Sequence, residues 1–410
     1  MRVLGMISGT SHDGIDVAIV DFQHNPRGGL DGRIEYATSV PYPEQLRTQL
    51  IDALPPAPVG FDVACELDTG IGHAFADAAV QAIAAHSSVP GAGIIDAVCT
   101  HGQTVFHWVD GPKALGTLQI GQPAWIAEAT GLPVISDVRA ADIAAGGQGA
   151  PLVPILDQLL LEPFRSTGRR AAALNLGGIA NMTVCAPGAE PVAWDIGPAN
   201  ALIDAVVTTS PLVSGTFDRD GELAAAGDVV PELLAELLTE PYYALPAPKS
   251  SGKELFHGAY VTDTLRRLGL DPSLPDLVAT LTELTAVTVA DAVRRASIEV
   301  VFASGGGVRN PVLMRRIAEL LPETTVSMTD ELGVVSDTKE AVAFALIGWA
   351  TLNGLPGNVP SCTGATGGRV LGRLSAAPSG LLPAVEALPE WPATVTFASD
   401  PEESSQGESS

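Results

Sequence analysis

Two turns of this chain are crowded with Gly, Ser, Asn and Asp: residues 8–16 (SGTSHDGID) and 175–181 (NLGGIAN), each set between short apolar runs. A hairpin tip of such residues leaves backbone N–H groups pointing outward, an arrangement that grips phosphate oxygens. Gly9, Thr10, Ser11, His12, Asp13, Gly14, Ile15 and Asp16 make a longer tip than an ordinary hairpin needs, which points to binding. The alternative is a plain hairpin with Asp13-Gly14 as its turn. Gly177-Gly178 is the weaker signal, because Gly-Gly is common at hairpin tips. Gly305-Gly306-Gly307 follows an apolar run and precedes a helix start. A turn without side chains there lets a ligand lie flat on the backbone, or else packs strand tightly against helix. Building the phosphate device twice implies phosphoryl transfer by a two-lobed protein closing on a nucleotide.

The candidate general base is Asp195, in DIGPAN at 195–200. A carboxylate held rigidly near a phosphate site can take a proton during transfer, although Asp also caps helices. Arg139 and Asp142 follow a strand end, where ligands of α/β proteins tend to bind. Arg139 fits a forked clamp on a substrate carboxylate, or a structural pair with an Asp. His101 and Gln103 read as polar groups at another strand end, since His101 and His107 lack zinc spacing. Two of only four lysines, Lys249 and Lys253, share the segment PKSSGKE at 248–254. A solvated basic loop is the other account of them.

The elements that must place these residues alternate between strands and helices. Strands are expected over 3–7 and 17–22, a helix over 62–86 with Leu67, Ile71, Phe75, Ala79 and Ile83 on one face, and a strand over 94–100. A short helix over 123–130 ends at Gly131, and a strand follows over 134–136. The second half repeats the plan. A hairpin spans 170–186, a loop over 195–200 starts a helix over 201–207, and a helix over 277–296 leads to a strand over 298–303. Asn310 then caps a helix with Pro311 at its first position, and a last helix runs over 340–352. The class is α/β with mixed sheets. The first lobe is expected over 1–137 plus about 340–375 and the second over 138–339, with a disordered acidic tail over 395–410.

Composition narrows the partners. The 410 residues suffice for two ordinary domains. A net charge of −25 argues against gripping nucleic acid, and no apolar run is long enough for a membrane span. Cys65, Cys99, Cys185 and Cys362 are scattered, as in a reduced cytoplasmic protein, and no signal peptide opens the chain. The sequence contains neither GxxxxGK[ST] nor a dinucleotide-binding GxGxxG arrangement.

Taken together, the segments resemble the anhydro-N-acetylmuramic acid kinase family of the actin–hexokinase–chaperone ATPase superfamily. The likeness rests on SGTSHDGID (8–16), HGQT (101–104), QIGQPAWIAEATGLPVISDVRAADIAAGGQGAPLVP (119–154), NLGGIAN (175–181), DIGPAN (195–200), PKSSGKE (248–254), SGGGVRNPVLM (304–314) and GLPGNVPSCTGATGGRVLG (354–372). The resemblance implies a two-lobed actin/hexokinase-like fold of duplicated mixed-sheet domains with a central cleft. It implies conversion of 1,6-anhydro-N-acetylmuramic acid, ATP and water to N-acetylmuramic acid 6-phosphate and ADP, with Mg²⁺, in cytoplasmic recycling of cell-wall sugar. A homodimer is part of the same implication. By matching positions, Asp195 is the base that activates water, Gly9 to Asp16 cradle the phosphates, Gly177 and Gly178 face them, and Gly305 to Gly307 border the nucleoside. His101, Arg139 and Glu340 contact the sugar. The chain departs from the family pattern at His12 for Met, Ala199 for Gly, and KSSGK for KSTGR at 249–253. A hexose kinase of the same fold and a non-catalytic nucleotide-binding regulator are the other readings.

Overall fold

A computed structural model describes residues 1–398 except 10, 112, 214, 248, 253, 254 and 381–386. The chain forms two compact units: Met1–Leu160 with Leu332–Val334 and the chain from Thr338 on, and Leu161–Glu331 with Val335–Asp337.

In the first unit, β1 (Arg2–Ser8), β2 (Gly14–His24) and β3 (Leu30–Pro41) form an antiparallel meander. β4 (Ala97–Asp110) lies parallel to β1, β6 (Val134–Ser136) lies parallel to β4, and β12 (Arg373–Ser375) lies antiparallel to β6. β5 (Lys113–Ile120) folds back on β4 as a ribbon. β1 is apolar along both faces because both are covered. Leu4 and Met6 join a core with Leu67, Ile71 and Phe75 of the helix Phe61–Ser87. On the opposite face the helix Lys339–Leu352 lies so close that a Cβ on Gly5 would stand 2.1 Å from the Ala341 carbonyl oxygen. Only glycine permits that approach.

The second unit repeats this scheme. β7 (Ala171–Leu176), β8 (Ile179–Cys185) and β9 (Val192–Pro198) form a meander, with β10 (Val300–Ser304) parallel to β7 and β11 (Thr325–Met328) parallel to β10. The order β11-β10-β7-β8-β9 matches β6-β4-β1-β2-β3 strand for strand, which is duplication expressed in topology. Leu174 and Leu176 pack on Val289 and Val293 of the helix Leu274–Arg295 and on Leu313 and Ile317 of the helix Pro311–Leu320. A second core, with Leu233, Leu237, Phe256 and Val261, joins the shorter helices of this unit. The side chain of Asn310 caps the helix Pro311–Leu320 by accepting from Val312 and Leu313 N–H, as the sequence predicts.

Four expectations need correction. The units divide at Leu160/Leu161 rather than near 137. The segment after β6 stays with the first unit because buried Asp142 accepts bonds from Asn358 and Thr363, at 2.6 and 2.7 Å. The strand expected over 94–100 is instead the longer β4, which runs through His101 and Gln103 and bends at Gly102, where φ is +71°. Residues 195–198 are not loop but the end of β9. The expected tail is ordered at its start: β13 (Val395–Phe397) alternates buried, exposed, buried and pairs with the edge of β3. Residues 399–410 lie outside the described residues.

Candidate active site

The first glycine-rich turn joins β1 to β2. Ser8 Oγ lies 2.7 Å from both Gly14 O and Gln103 Oε1, so its one proton can serve either. Gln103 in turn donates to Gly9 O at 3.3 Å, tying the root of the turn to β4. At the tip Ser11 Oγ donates to Asp13 Oδ1 at 2.6 Å, and Arg47 Nε donates to His12 O at 2.9 Å. His12 takes a left-handed φ of +54°, a conformation that costs a non-glycine residue and persists where neighbours hold it. The loop is therefore 9–13. Ile15 is core, 1% exposed, and Asp16 pairs with Ile7 inside the sheet, so neither belongs to the tip as the sequence reading had it. Gly14 also belongs to β2, where a Cβ would stand 2.6 Å from the Val40 carbonyl oxygen. Thr10 lies outside the described residues.

The structure brings His101, Arg139 and Glu340 together. Arg139 Nε donates to His101 Nε2 at 2.8 Å, and Arg139 Nη1 donates to Gly149 O at 2.7 Å. His101 Nδ1, 2.9 Å from Gly102 O, must then carry the ring's proton, so both nitrogens are engaged by a neutral imidazole. Burial, and then the Arg139 charge, hold the His101 pKa well below its ordinary value. Burial lowers Arg139 to about 10, against the pull of Glu340 and Asp142, which leaves it charged at neutral pH. Glu340 is pushed up by burial, with Arg139 and Lys339 opposing. Asp137, two residues before Arg139, pairs instead with Arg373 at 2.7 Å. Asp142 accepts from Gly149 N at 2.8 Å, so it fixes the very carbonyl-bearing residue that Arg139 holds.

In the second unit, Asp195 sits on the edge strand β9 opposite Asn181 of β8. Its Oδ2 accepts from Ser251 N at 2.9 Å, and its own N–H donates to Lys249 O at 2.9 Å. Ala199 adopts φ −113°, so alanine serves there without left-handed backbone. The carbonyls of Gly177 and Gly178 receive the N–H groups of Asn200, Ala199 and Ala201, which closes the NLGGIAN turn onto the start of the helix Asn200–Thr209. Gly305 has φ +84°, and a Cβ there would stand 2.4 Å from Asn175 Oδ1; one on Gly307 would stand 2.7 Å from Leu176 Cβ. Those two glycines are thus required by packing on the end of β7. A Cβ on Gly306 would meet nothing nearer than Asn200 Nδ2 at 4.0 Å, so the open face of the triplet is at 306.

The model of the anhydro-N-acetylmuramic acid kinase family matches residues 1–377. The chain belongs to that family. It is 51% identical over 376 residues to an anhydro-N-acetylmuramic acid kinase of Streptomyces coelicolor, covering 92% of this chain and 94% of that one. To the enzyme of the same name from Rhodococcus erythropolis it is 48% identical over 410 residues, covering 96% and 99%. Among solved structures it is similar to a ROK family glucokinase from Streptomyces griseus in complex with glucose and AMPPNP, with 16% identity, 84% and 98% coverage and a TM-score of 0.34. The chain is an ATP-using sugar kinase that acts on anhydro-N-acetylmuramic acid. Among the described residues no helix is long and apolar enough to cross a membrane.

Some functional geometry of the kinase escapes the sequence. Tyr242 donates its hydroxyl to Asp195 O at 2.8 Å, and nothing in EPYY at 240–243 announces that. The grouping of lysines at 249 and 253 was the available signal for the 248–254 segment, although Lys253 lies outside the described residues. Acid should also probe the His101 pair. A histidine depressed in the folded state binds its proton more readily when unfolded. Stability is then full above about 6.5 and falls as pH drops below that ordinary value. Glu340, raised by burial, contributes the opposite slope above its ordinary value of 4.5, its stability being lost as pH rises through the folded pKa. Melting curves of wild type and His101→Asn between about pH 7 and 5 isolate the histidine: the wild type should lose the more stability, and parallel curves would refute the neutral-imidazole assignment.

Proposed function

We propose that Asp195 is the general base of a combined hydrolysis and phosphoryl transfer. Asp195 takes a proton from water, whose oxygen bonds to the anomeric carbon of 1,6-anhydro-N-acetylmuramic acid. The bond from that carbon to O6 breaks, and the electron pair goes to O6. O6 attacks the γ-phosphorus of ATP, and the β–γ bridging oxygen leaves with ADP. The observation that carries this reading is the carboxylate held at 2.9 Å by Ser251 N–H, a fixed orientation suited to proton abstraction.

In the same reading the 9–13 turn binds the phosphates, and Gly177, Gly178 and Gly306 serve the nucleotide. His101, Arg139 and Glu340 bind the sugar, Arg139 contributing a forked donor. Mg²⁺ would neutralise phosphate charge. Asp13, at the turn tip beside Ser11, would offer such an ion a carboxylate. The enzyme would act in the cytoplasm, where ATP is available, without nucleic-acid or membrane partners.

A homodimer completes the reading. The β4–β5 ribbon exposes Phe106, Trp108 and Leu118 at 48%, 54% and 52% on one face. Between Val105 and Leu118 one Asp offsets one Lys, so two copies of a chain of net charge −25 can meet there without repulsion. Light scattering should give twice the monomer mass, and Trp108→Ser should lower it.

Product analysis in ¹⁸O-labelled water tests the chemistry. The label should appear at the anomeric hydroxyl of the 6-phosphate product, with none in the phosphoryl group. Label in the phosphate, or phosphorylation of an unopened sugar, overturns it.

A further inference from the structure

We propose that Tyr242, Lys249 and Ser251 form a clamp that positions the Asp195 carboxylate, with Tyr242 and Lys249 as positioning residues; the proposal rests on Asp195 being the base. Three groups of Asp195 are held by this one segment. Its N–H donates to Lys249 O at 2.9 Å, its carbonyl accepts from Tyr242 OH at 2.8 Å, and its Oδ2 accepts from Ser251 N at 2.9 Å. The segment is itself braced. Lys249 Nζ donates to Tyr242 O at 2.8 Å and to Tyr243 O at 3.3 Å, and it rests 4.3 Å from the centre of the Tyr242 ring. The next aromatic, Tyr243, stacks on Phe256 with centroids 6.0 Å apart and planes 8° apart. A Cβ on Gly197, two residues beyond Asp195, would stand 2.8 Å from Tyr243, so β9 presses directly on this aromatic wedge.

An edge strand needs only backbone partners to be closed off, and Lys249 O supplies one. A bond to the carboxylate, a tyrosine hydroxyl to the carbonyl and a cation over that tyrosine exceed what edge closure requires. The cation also has an electrostatic consequence. Lys249 interacts with the Asp195 charge, in a group that includes Asp291 and Arg295, and Arg295 pairs with Asp291 at 2.7 Å. A positive charge there favours the ionised, base-competent carboxylate.

The test is steady-state kinetics of the full chain with both substrates. Tyr242→Phe keeps the ring and deletes one donor. It should lower kcat about 3- to 10-fold, the size of one lost hydrogen bond, with the sugar KM within about twofold. Lys249→Met should move the acidic limb of the kcat profile up by about 1 pH unit, and Lys249→Arg should return it, because the charge is restored. Wild-type kcat in Tyr242→Phe together with an unmoved limb in Lys249→Met overturns the clamp. A limb that Lys249→Arg fails to return also overturns it, since that marks packing alone. Should Lys249→Met not fold, Tyr242→Phe still decides. Asp195→Asn in the same series separates the failures: if it stays active the base assignment falls, and if it is dead while the other variants match wild type the clamp alone falls.

Discussion

Asp195→Asn should lower kcat on 1,6-anhydro-N-acetylmuramic acid by about 10³-fold or more while ATP still binds. General bases contribute roughly 10²- to 10⁴-fold, so 10³ corresponds to about 4 kcal/mol of lost transition-state stabilisation. The fold should survive, because an Asn carbonyl oxygen can still accept the Ser251 N–H that Oδ2 receives at 2.9 Å. The loss should fall on kcat rather than on either KM, since the carboxylate acts on water and not as a binding contact. Nucleotide titration followed by rapid-quench assay separates binding from chemistry. A variant turning over at more than a tenth of the wild-type rate would leave the base elsewhere.

The strands and helices that build each unit's centre were legible because their periodicity is strong. Leu67, Ile71, Phe75 and Ala79 mark one face of the helix Phe61–Ser87, and all four are buried. The helix Pro311–Leu320 announced itself by Pro at the first position, and the helix Pro123–Thr130 by Gly131 at its end. What misled the reading was local chemistry overridden by pairing. In 195–198, Gly-Pro after a carboxylate has the composition of a loop, yet β8 supplies a register that continues the ladder to Pro198. β4 runs through Gly102 for the same reason, since β5 pairs with it from Gln103 onward. The three residues of β13 carry too little pattern to be seen alone, and the acidic sequence after them dominates the window.

The site was legible by residue type more than by arrangement. Gly305 and Gly307 were singled out for a ligand but are fixed by contacts with Asn175 and Leu176, and composition cannot distinguish a glycine that admits a ligand from one that admits a neighbouring strand. His101 and Glu340 are far apart in the chain, on a strand and a helix, and only the folding of the first unit places both beside Arg139. Asp142 was noticed as a neighbour of Arg139, whereas its buried partners Asn358 and Thr363 come from the other end of the first unit's sequence.

The second large effect is expected at Arg139. Replacing it with Met removes the donor to His101 Nε2 and the donor to Gly149 O, and it strips Glu340 of its strongest opposing charge. Breaking one side of a buried charged network costs about 3–5 kcal/mol, which for a unit of this size lowers the melting temperature by roughly 10 °C. Two titrations should move with it. Glu340, already raised by burial, loses the charge that opposes the rise and moves further up, while His101 loses one cause of its depression and moves back toward 6.5. On the proposed reading the substitution also takes one positive charge from the sugar contacts, so the sugar KM should rise by at least about 10-fold while the ATP KM, assigned above to the 9–13 turn, should stay within about twofold. Arg139→Lys keeps the charge but cannot reach two acceptors in one plane, so its sugar KM should lie between wild type and Met. Calorimetry and kinetics on both variants check this together. A Met variant that melts with the wild type and keeps its sugar KM would mean that the His101–Arg139–Glu340 group neither braces the first unit nor touches the sugar.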